Sequence, residues 1–423
     1  MLYIRDLIRK KRNNKELTEE EINFFIYSYN RDEILREQAA SLLTLMHTNG
    51  LTEREMVYLA LAVAETGKKS EIYKISNKIV DIHPIGGMDD KIVIMLLPII
   101  NSLKLPTAKI VAREIGIKDK LIGIKTYKVT DDNIMKIEKD LSNNKIVIFE
   151  EPDNTAPVEN KLYKLRNDIA CNDDIALIAI SLMSQKLALG VRNMVFDISY
   201  GEKAYVKTLR DAERLSKNLI QMGEKLDRGV KCIITKLDEP VGRFFGNTLE
   251  IKEAIEGLKG NMLDDVKDLV FEIGSSILSL AYNNKNTKQN KQIILDAIES
   301  GRAYDELMRL IEENQIKYNI NVKNVIPVVS NEDGYVEKID MSLIRTTAKY
   351  LNSIRYTIED DLSLGCGIEF EKKIGDKVKK GEIIGYVYTN DETKIRESVQ
   401  NLKDAFIISS SKIRRTNRIT ETF

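Results

Sequence analysis

The chain has 423 residues, enough for two or three domains and a sizeable core. Its 65 basic and 65 acidic side chains cancel, and 43% hydrophobic with 31% charged residues is the balance of an ordinary globular protein. No block of like charge, no bilayer-length apolar run and only two histidines speak against nucleic-acid binding, membrane insertion and a histidine-rich metal centre. The three cysteines, Cys171, Cys232 and Cys366, are scattered and make neither a zinc nor a disulfide framework, so a reduced, cytoplasmic protein is expected. The opening MLYIRDLIRKKRNN alternates charge with short apolar steps, unlike a secretory leader.

Residues 1–66 read as a small all-helical unit. In LTEEEINFFIYSY (17–29), Thr18 can cap the backbone while Glu21 reaches back, a capping box. DEILREQAASLLTLMHTNG (32–50) has helical apolar spacing and ends on glycine. LTEREMVYLALAVAETG (51–67) repeats the box with Thr52 and Glu55 and is expected to stop at Gly67. After residue 75 short β-branched runs appear: KIVDI (78–82), AKIVA (108–112), KIVIF (145–149), NMVFDI (193–198) and KCIITKL (231–237). Amphipathic helical stretches such as 176–190 and 208–226 separate them, which predicts a mostly parallel sheet covered by helices, an α/β domain over 75–328. YNNKNTKQNKQ (282–292) is polar and reads as a surface loop. From about 329, NEDGYVEKID and EFEKKIGDKVKKGEIIGYVYT alternate like strands around glycine turns, a compact C-terminal α+β domain over 329–423.

Ligands of such sheets bind beyond the carboxyl ends of the strands, and HPIGGMDDK (83–91) follows KIVDI directly. Its paired glycines would let a backbone approach a phosphate. Yet no hydroxyl and no upstream lysine stands where a phosphate cradle needs them.

Several segments, in order, resemble the pyrimidine-nucleoside phosphorylase (thymidine phosphorylase) family from end to end. They are DLIRKKRNNKELTEEEINFFI, LYKLRNDIACNDDIALIAISLMSQKLALG, the long block from VKTLRD to EGLKG (206–260), and GYVEKID with IGDKVKKGE. The resemblance implies a helical domain, joined in space by roughly 160–190, beside a larger α/β domain, with substrate in the cleft between them. It implies a homodimer built largely through the helical domain. The implied reaction is reversible phosphorolysis of a pyrimidine nucleoside to free base and pentose 1-phosphate, with inorganic phosphate as co-substrate and no other cofactor. Positive charge builds on the sugar and negative charge flows into the leaving base, so the site needs donors on the base oxygens and a phosphate held against the sugar.

By the family's motifs, Arg166, Ser181 and Gln185 would contact the pyrimidine, and His83 would be the catalytic donor to a base oxygen. The family has a lysine at Gln185, so a cation has become a neutral amide; Lys186, the next residue, points about 100° away on a helix. Other readings stay open: a structural His83, an Arg166–Asp168 pair, or a Ser181 bond to its own helix backbone. At the phosphate cradle the likeness fails. Against the family's lysine-His-Ser-Thr-Gly-Gly-Val-Gly-Asp, the lysine is Ile82, the serine Pro84, the threonine Ile85 and the last glycine Asp89, while a later hydroxyl is Val93. VAREIGIKDKL (111–121) stands for a second glycine-rich run and keeps only Arg113 and Gly116, with Val111 and Leu121 replacing a serine and a threonine. Gly86, Gly87, Asp90 and Arg113 remain as a phosphate-site remnant. Lys118 and Lys120 read as solvated loop lysines or as cations reaching an anion. In YGEKAY (200–205), Glu202 and Lys203 replace small residues of the family.

A bacterial branch of the family holds potassium with a threonine hydroxyl, backbone carbonyls and a glutamate. Glu253 matches the glutamate and Lys91 falls on the threonine, so the Lys91 ammonium is expected beside Glu253 in place of the ion, or else at the surface. The hairpin IGDKVKKGEIIGYV also resembles biotinyl and lipoyl carriers, but without their Met-Lys-Met element it reads as structural packing. Three functions follow: a pyrimidine-nucleoside phosphorylase; a catalytically degenerate relative that binds a base or nucleoside, or serves an active paralogue as a regulatory or structural subunit in a heterodimer; and a transferase using another anionic sugar donor, with MDD (88–90) holding a magnesium–diphosphate group.

Overall fold

Capping chemistry sets the helical beginning of the chain, described from a computed structural model covering residues 2–67, 76–86, 90–111, 117–121, 124–128, 131–150, 156–202, 204–355 and 360–423. After α1 (Ile4–Arg12), α2 (Glu19–Asn30) opens on the expected box: Thr18 Oγ1 accepts from the Glu21 N–H, and the Glu21 carboxylate accepts from the Thr18 N–H at 2.7 Å. α3 (Arg36–Asn49) ends at Gly50, whose φ of +76° is the left-handed stop that glycine adopts without strain. α4 (Glu53–Ala64) has the second box and ends at Ala64, short of the expected Gly67. Its Glu55 does more than cap. Fully buried, it accepts from Lys11 Nζ at 2.8 Å and from the Leu17 N–H at 2.9 Å, so one carboxylate ties α4 to α1 and to the entry of α2.

The strand–helix alternation follows as β1 (Val80–Ile85), α5 (Asp90–Ser102), β2 (Ala108–Val111), α6 (Ile117–Lys120), β3 (Thr126–Lys128), α7 (Asp131–Ser142) and β4 (Val147–Glu150). Two helices return to the helical region, α8 (Pro157–Asp168) against α2 and α3, and α9 (Ile175–Ala188) against α4. Then come β5 (Asn193–Tyr200), α10 (Leu209–Lys225), β6 (Gly229–Lys236), β7 (Phe244–Phe245), α11 (Asn247–Leu258), α12 (Asp264–Tyr282), α13 (Thr287–Glu299) and α14 (Arg302–Asn314). β1, β5 and β6 run parallel, with His83 opposite Phe196; β2, β4 and β3 form a second, also parallel, sheet. The expected loop at 282–292 is mostly helix. Only 283–286 turns, with Asn283 at φ +50°, and the Asn286 side chain then caps α13 by accepting from the Gln289 N–H at 3.1 Å. A polar stretch concealed a helix start, because asparagine serves both turns and caps.

The C-terminal α+β part comprises β8 (Asn324–Val329), β9 (Gly334–Ile339), α15 (Met341–Tyr350), β10 (Gly367–Phe370), β11 (Lys377–Val378), β12 (Ile383–Thr389), α16 (Ile395–Ala405), β13 (Phe406–Ser409) and β14 (Ile419–Thr422). It exchanges strands with the α/β part. β7 pairs with β10, and β14 returns antiparallel to β6 to cover one edge of the main sheet. The fold is α/β with a helical N-terminal part and a C-terminal α+β part. Among the described residues no helix is long and apolar enough to cross a membrane.

Candidate functional site

His83 lies near the carboxyl end of β1. This strand is one edge of its sheet, where a proline such as Pro84 is tolerated. After Ile85 the chain turns at Gly86, φ +73°. A Cβ there would lie 2.9 Å from Tyr205 Cβ and 3.1 Å from its backbone nitrogen, so the turn closes only around glycine. The His83 ring meets Phe196 edge-on, with centroids 6.0 Å apart. Two residues earlier, Asp81 is 1% exposed and faces Lys186 Nζ at 2.9 Å and Lys109 Nζ at 3.7 Å. Burial pushes the Asp81 carboxyl up, but Lys186 and then Lys109 prevail and hold it at about 2. The same surroundings hold His83 well below its ordinary value: loss of water first, then repulsion from Lys186 and Lys109, against a smaller pull from Asp81. His83 is therefore a neutral imidazole at neutral pH, with one N–H to donate. Lys186 does turn away from the Ser181 face, and its destination is this carboxylate, which ties α9 to β1.

The three expected base contacts lie on α8 and α9. Arg166 is buried, at 4% exposure, but its acid is not Asp168, which pairs with Arg36 of α3. Arg166 faces Glu159, with Nη2 3.9 Å from Oε1, and its Nε has no hydrogen-bond partner among the described residues. The Ser181 hydroxyl does not turn back on its own helix: Oγ donates to the same Glu159 oxygen. Gln185 follows one turn later on the same face of α9 and is partly buried. Tyr205 joins the two halves. Its backbone packs on Gly86, its hydroxyl donates to the Asn172 carbonyl at 2.8 Å, and burial pushes the phenol up against an opposing effect of Arg166. Tyr205, Glu159, Asp81 and Lys109 are not among the site residues expected from the sequence. Only Glu159 left a signal, two helical turns before Arg166 and so on its face.

Five of the positions matched to phosphate ligands are buried hydrocarbon among the described residues. Ile82, Val93, Val111 and Leu121 are at most 4% exposed and share one apolar cluster with Val195 and Ile233. Ile85 is buried on the opposite side of the sheet, in the cluster that continues into the helical part. Asp90 is the first residue of α5, and its side chain, with Gly87, Asp89, Arg113, Gly116, Lys203 and the Lys118 side chain, lies outside the described residues. Lys120 is neither solvated nor directed at an open anion site. It is 5% exposed and pairs with the buried Glu250 at 2.6 Å. Glu202 is exposed and bonds Lys338 of β9 at 3.1 Å.

Lys91, in the first turn of α5, is fully buried. Its ammonium has three protons, and all three find oxygen: Val241 O at 2.7 Å, Phe244 O, and Glu253 Oε2 at 2.7 Å. Glu253 in turn accepts from the Arg243 N–H at 2.6 Å and the Phe244 N–H at 3.1 Å. The loop wraps this carboxylate closely, since a Cβ on Gly242, φ +66°, would sit 2.2 Å from Glu253 Oε1. The surface alternative for Lys91 is excluded. C-terminal residues hold the outer side of the loop: Lys373 donates to Pro240 O and reaches Asp265 at 3.2 Å, and Arg418 donates to Glu239 O at 2.7 Å.

Two family models match parts of the chain. Residues 5–67 match the family model described as glycosyl transferase family, helical bundle domain, and 335–409 match that of the pyrimidine nucleoside phosphorylase C-terminal domain. A pyrimidine-nucleoside phosphorylase of Staphylococcus epidermidis (strain ATCC 12228) is 32% identical over 419 residues, covering 96% of either chain. The chain belongs to the pyrimidine-nucleoside phosphorylase family. A second relative, from Staphylococcus aureus (strain USA300), is 32% identical over 422 residues with the same 96% coverage of both. Among solved structures, anthranilate phosphoribosyltransferase from Thermus thermophilus shares the fold, with a TM-score of 0.54 at 14% identity over 73% of this chain and 99% of that one. Arg166, Ser181 and Gln185 of this phosphorylase-family chain lie on α8 and α9, and His83 lies near the end of β1.

Proposed function

We propose that this chain holds a pyrimidine base or nucleoside between α8, α9 and the carboxyl end of β1, and that it has lost the tight phosphate site a phosphorylase needs. One observation carries this reading: Ile82, Val93, Val111 and Leu121 form a continuous buried apolar cluster at the positions where the family supplies a lysine and hydroxyls. A dianion set against that wall gives up water without receiving donors from those four side chains, and Pro84 offers no N–H to compensate. The base side keeps its chemistry. Arg166 can donate to a carbonyl, Gln185 to a second oxygen, and His83 can share its N–H with an oxygen that gains charge as the glycosidic bond loosens. With glutamine in place of a lysine, that charge is less well supported.

The test uses purified protein with uridine or thymidine, with and without phosphate. Base binding by calorimetry without phosphate-dependent release of free base is the expected result. Rapid phosphate-dependent release overturns the reading in favour of an intact phosphorylase. The variant Ile82→Lys/Pro84→Ser/Ile85→Thr should raise phosphate affinity if the cradle alone is broken. Turnover with a diphosphorylated sugar would instead establish the transferase reading.

The cation belongs to the same reading. Two carbonyls and a carboxylate around one buried ammonium are the oxygen set that a dehydrated monovalent cation takes, so Lys91 stands where a potassium ion would otherwise be held. Family membership also supports assembly as a dimer through the helical part, which light scattering on the purified chain tests directly.

A further inference from the structure

Residues three apart on a helix are neighbours on one face, and the first two turns of α11 carry two glutamates at that spacing. Glu250 takes Lys120 at 2.6 Å, and Glu253 takes Lys91 at 2.7 Å. Glu250 and Lys91 are fully buried and Lys120 is 5% exposed, so each charge depends on its partner rather than on water. The lysines come from two separate stretches: Lys91 closes the run that begins at His83, and Lys120 stands near the end of the run 111–121. α11 packs on both α5 and α6, the helices that carry them. Each glutamate also gathers backbone, Glu250 accepting from the Gly246 N–H at 3.1 Å and Glu253 from the N–H groups of Arg243 and Phe244. Asn247, in the same stretch, ties α11 to the C-terminal part: Nδ2 donates to the Ser353 and Ser363 carbonyls, and Oδ1 accepts from the Gly365 N–H, all at 3.2 Å. Asp119, beside Lys120, reaches that part as well, through Arg355 at 3.1 Å.

We propose that the start of α11 is a coupling hub: Glu250 and Glu253 fasten the runs 83–91 and 111–121 to one helix, so that the two runs loosen and tighten as a single unit with no bound ion between them. The hydrogen-bonded helix backbone does not let one glutamate shift while the other, three residues on, stays in place. When Lys120 is lost, Glu250 moves to recover a partner and carries Glu253 with it. That displaces the Lys91 ammonium, which the Val241 and Phe244 carbonyls share, and with it the first turn of α5. A change at 117–121 thereby reaches the turn that follows His83. Two independent struts would instead loosen only their own runs. The readings of base and phosphate above play no part in this inference.

The experiment is hydrogen exchange read by mass spectrometry on the full chain, as wild type, Lys120→Met, Glu250→Gln and Lys91→Met. Methionine fills the space of lysine without its charge, and glutamine keeps an acceptor for the Gly246 N–H. Lys120→Met and Glu250→Gln should each speed exchange about tenfold or more in 117–121, because a buried charge loses its partner, and by a similar factor in the first two turns of α5. Lys91→Met should act in the other direction and speed exchange in 117–121. Faster exchange confined to the run that lost its charge overturns the proposal, and so does unchanged exchange in both. α6 also touches α5 directly, so the route is tested in a Glu253→Gln background, where Lys120→Met should add nothing further at α5. An effect that persists there runs through that direct packing and overturns the hub. Wild type alone gives a second measurement that holds even if a variant fails to fold: in low urea, the amides of 90–96, 117–121 and 247–254 should open with one common urea dependence. Distinct dependences overturn the coupling.

Discussion

Replacing Lys91 with threonine is the sharpest perturbation of this fold. Lys91 is fully buried, and its ammonium is the shared partner of the Val241 and Phe244 carbonyls and the Glu253 carboxylate. Removing one member of a buried ion pair costs about 3–5 kcal/mol, because the remaining charge keeps its desolvation penalty. Glu253 retains its two backbone N–H donors, which places the loss towards the lower end, about 3 kcal/mol. The shorter threonine leaves a gap ringed by oxygens. A potassium ion that enters it adds roughly 2.7 kcal/mol when present at a hundred times its dissociation constant. The assay is urea unfolding of wild type and Lys91→Thr in potassium chloride and in choline chloride of equal ionic strength. The wild-type midpoint should be the same in both salts. The variant should fall well below it in choline and recover most of the loss in potassium. A variant as stable as wild type in choline refutes the reasoning, and so does a wild type that itself needs potassium.

Other outcomes follow from the same geometry. Glu55→Gln should cost about 3 kcal/mol in urea unfolding, since a buried carboxylate with Lys11 on both oxygens becomes neutral and leaves that lysine unpaired. Gly86→Ala should lower stability by about 1–3 kcal/mol, because its left-handed φ is strained for alanine and the new methyl strikes Tyr205; an unchanged unfolding midpoint would count against the tight turn. Asp81 titrates at about 2 in the folded chain, below its ordinary 3.8, so its contribution is complete above pH 4 and is lost as pH falls towards 2. The depressed His83 acts with the same sign from a higher starting point: below its ordinary 6.5 the unfolded chain takes up a proton that the folded chain refuses, and stability drops. Acid unfolding of Asp81→Asn should therefore lack the step between pH 4 and 2, while wild type shows it.

Much of the architecture was legible because it is written in local rules. The boxes at Thr18 and Thr52 and the stop at Gly50 need only a few neighbouring residues, and each stands where the spacing predicts. The parallel sheet follows from β-branched runs separated by helices. The helix hidden in 282–292 was not legible, because asparagine signals turns and caps alike. At the site, motif resemblance could nominate Arg166, Ser181 and His83 but not the company they keep. That Glu159 accepts from the Ser181 hydroxyl, that Lys186 crosses to Asp81, and that Lys120 is used up on Glu250 are facts of three-dimensional proximity between different elements. The caged Lys91 was within reach only because a family match set it opposite Glu253.

The returning strand β14 has a consequence for how the molecule comes into being. Ile419 pairs with Thr235, and the Phe423 N–H donates to the Cys232 carbonyl at 2.9 Å, so the flank of β6 stays raw until residues far downstream arrive to close it. Until then β6 offers a row of unmated amides to any passing strand, the usual seed of clumping during synthesis. Nascent chains halted before 419 should accordingly lean on chaperones, and a bulky fusion joined directly after Phe423 should hinder the seal that ends that dependence.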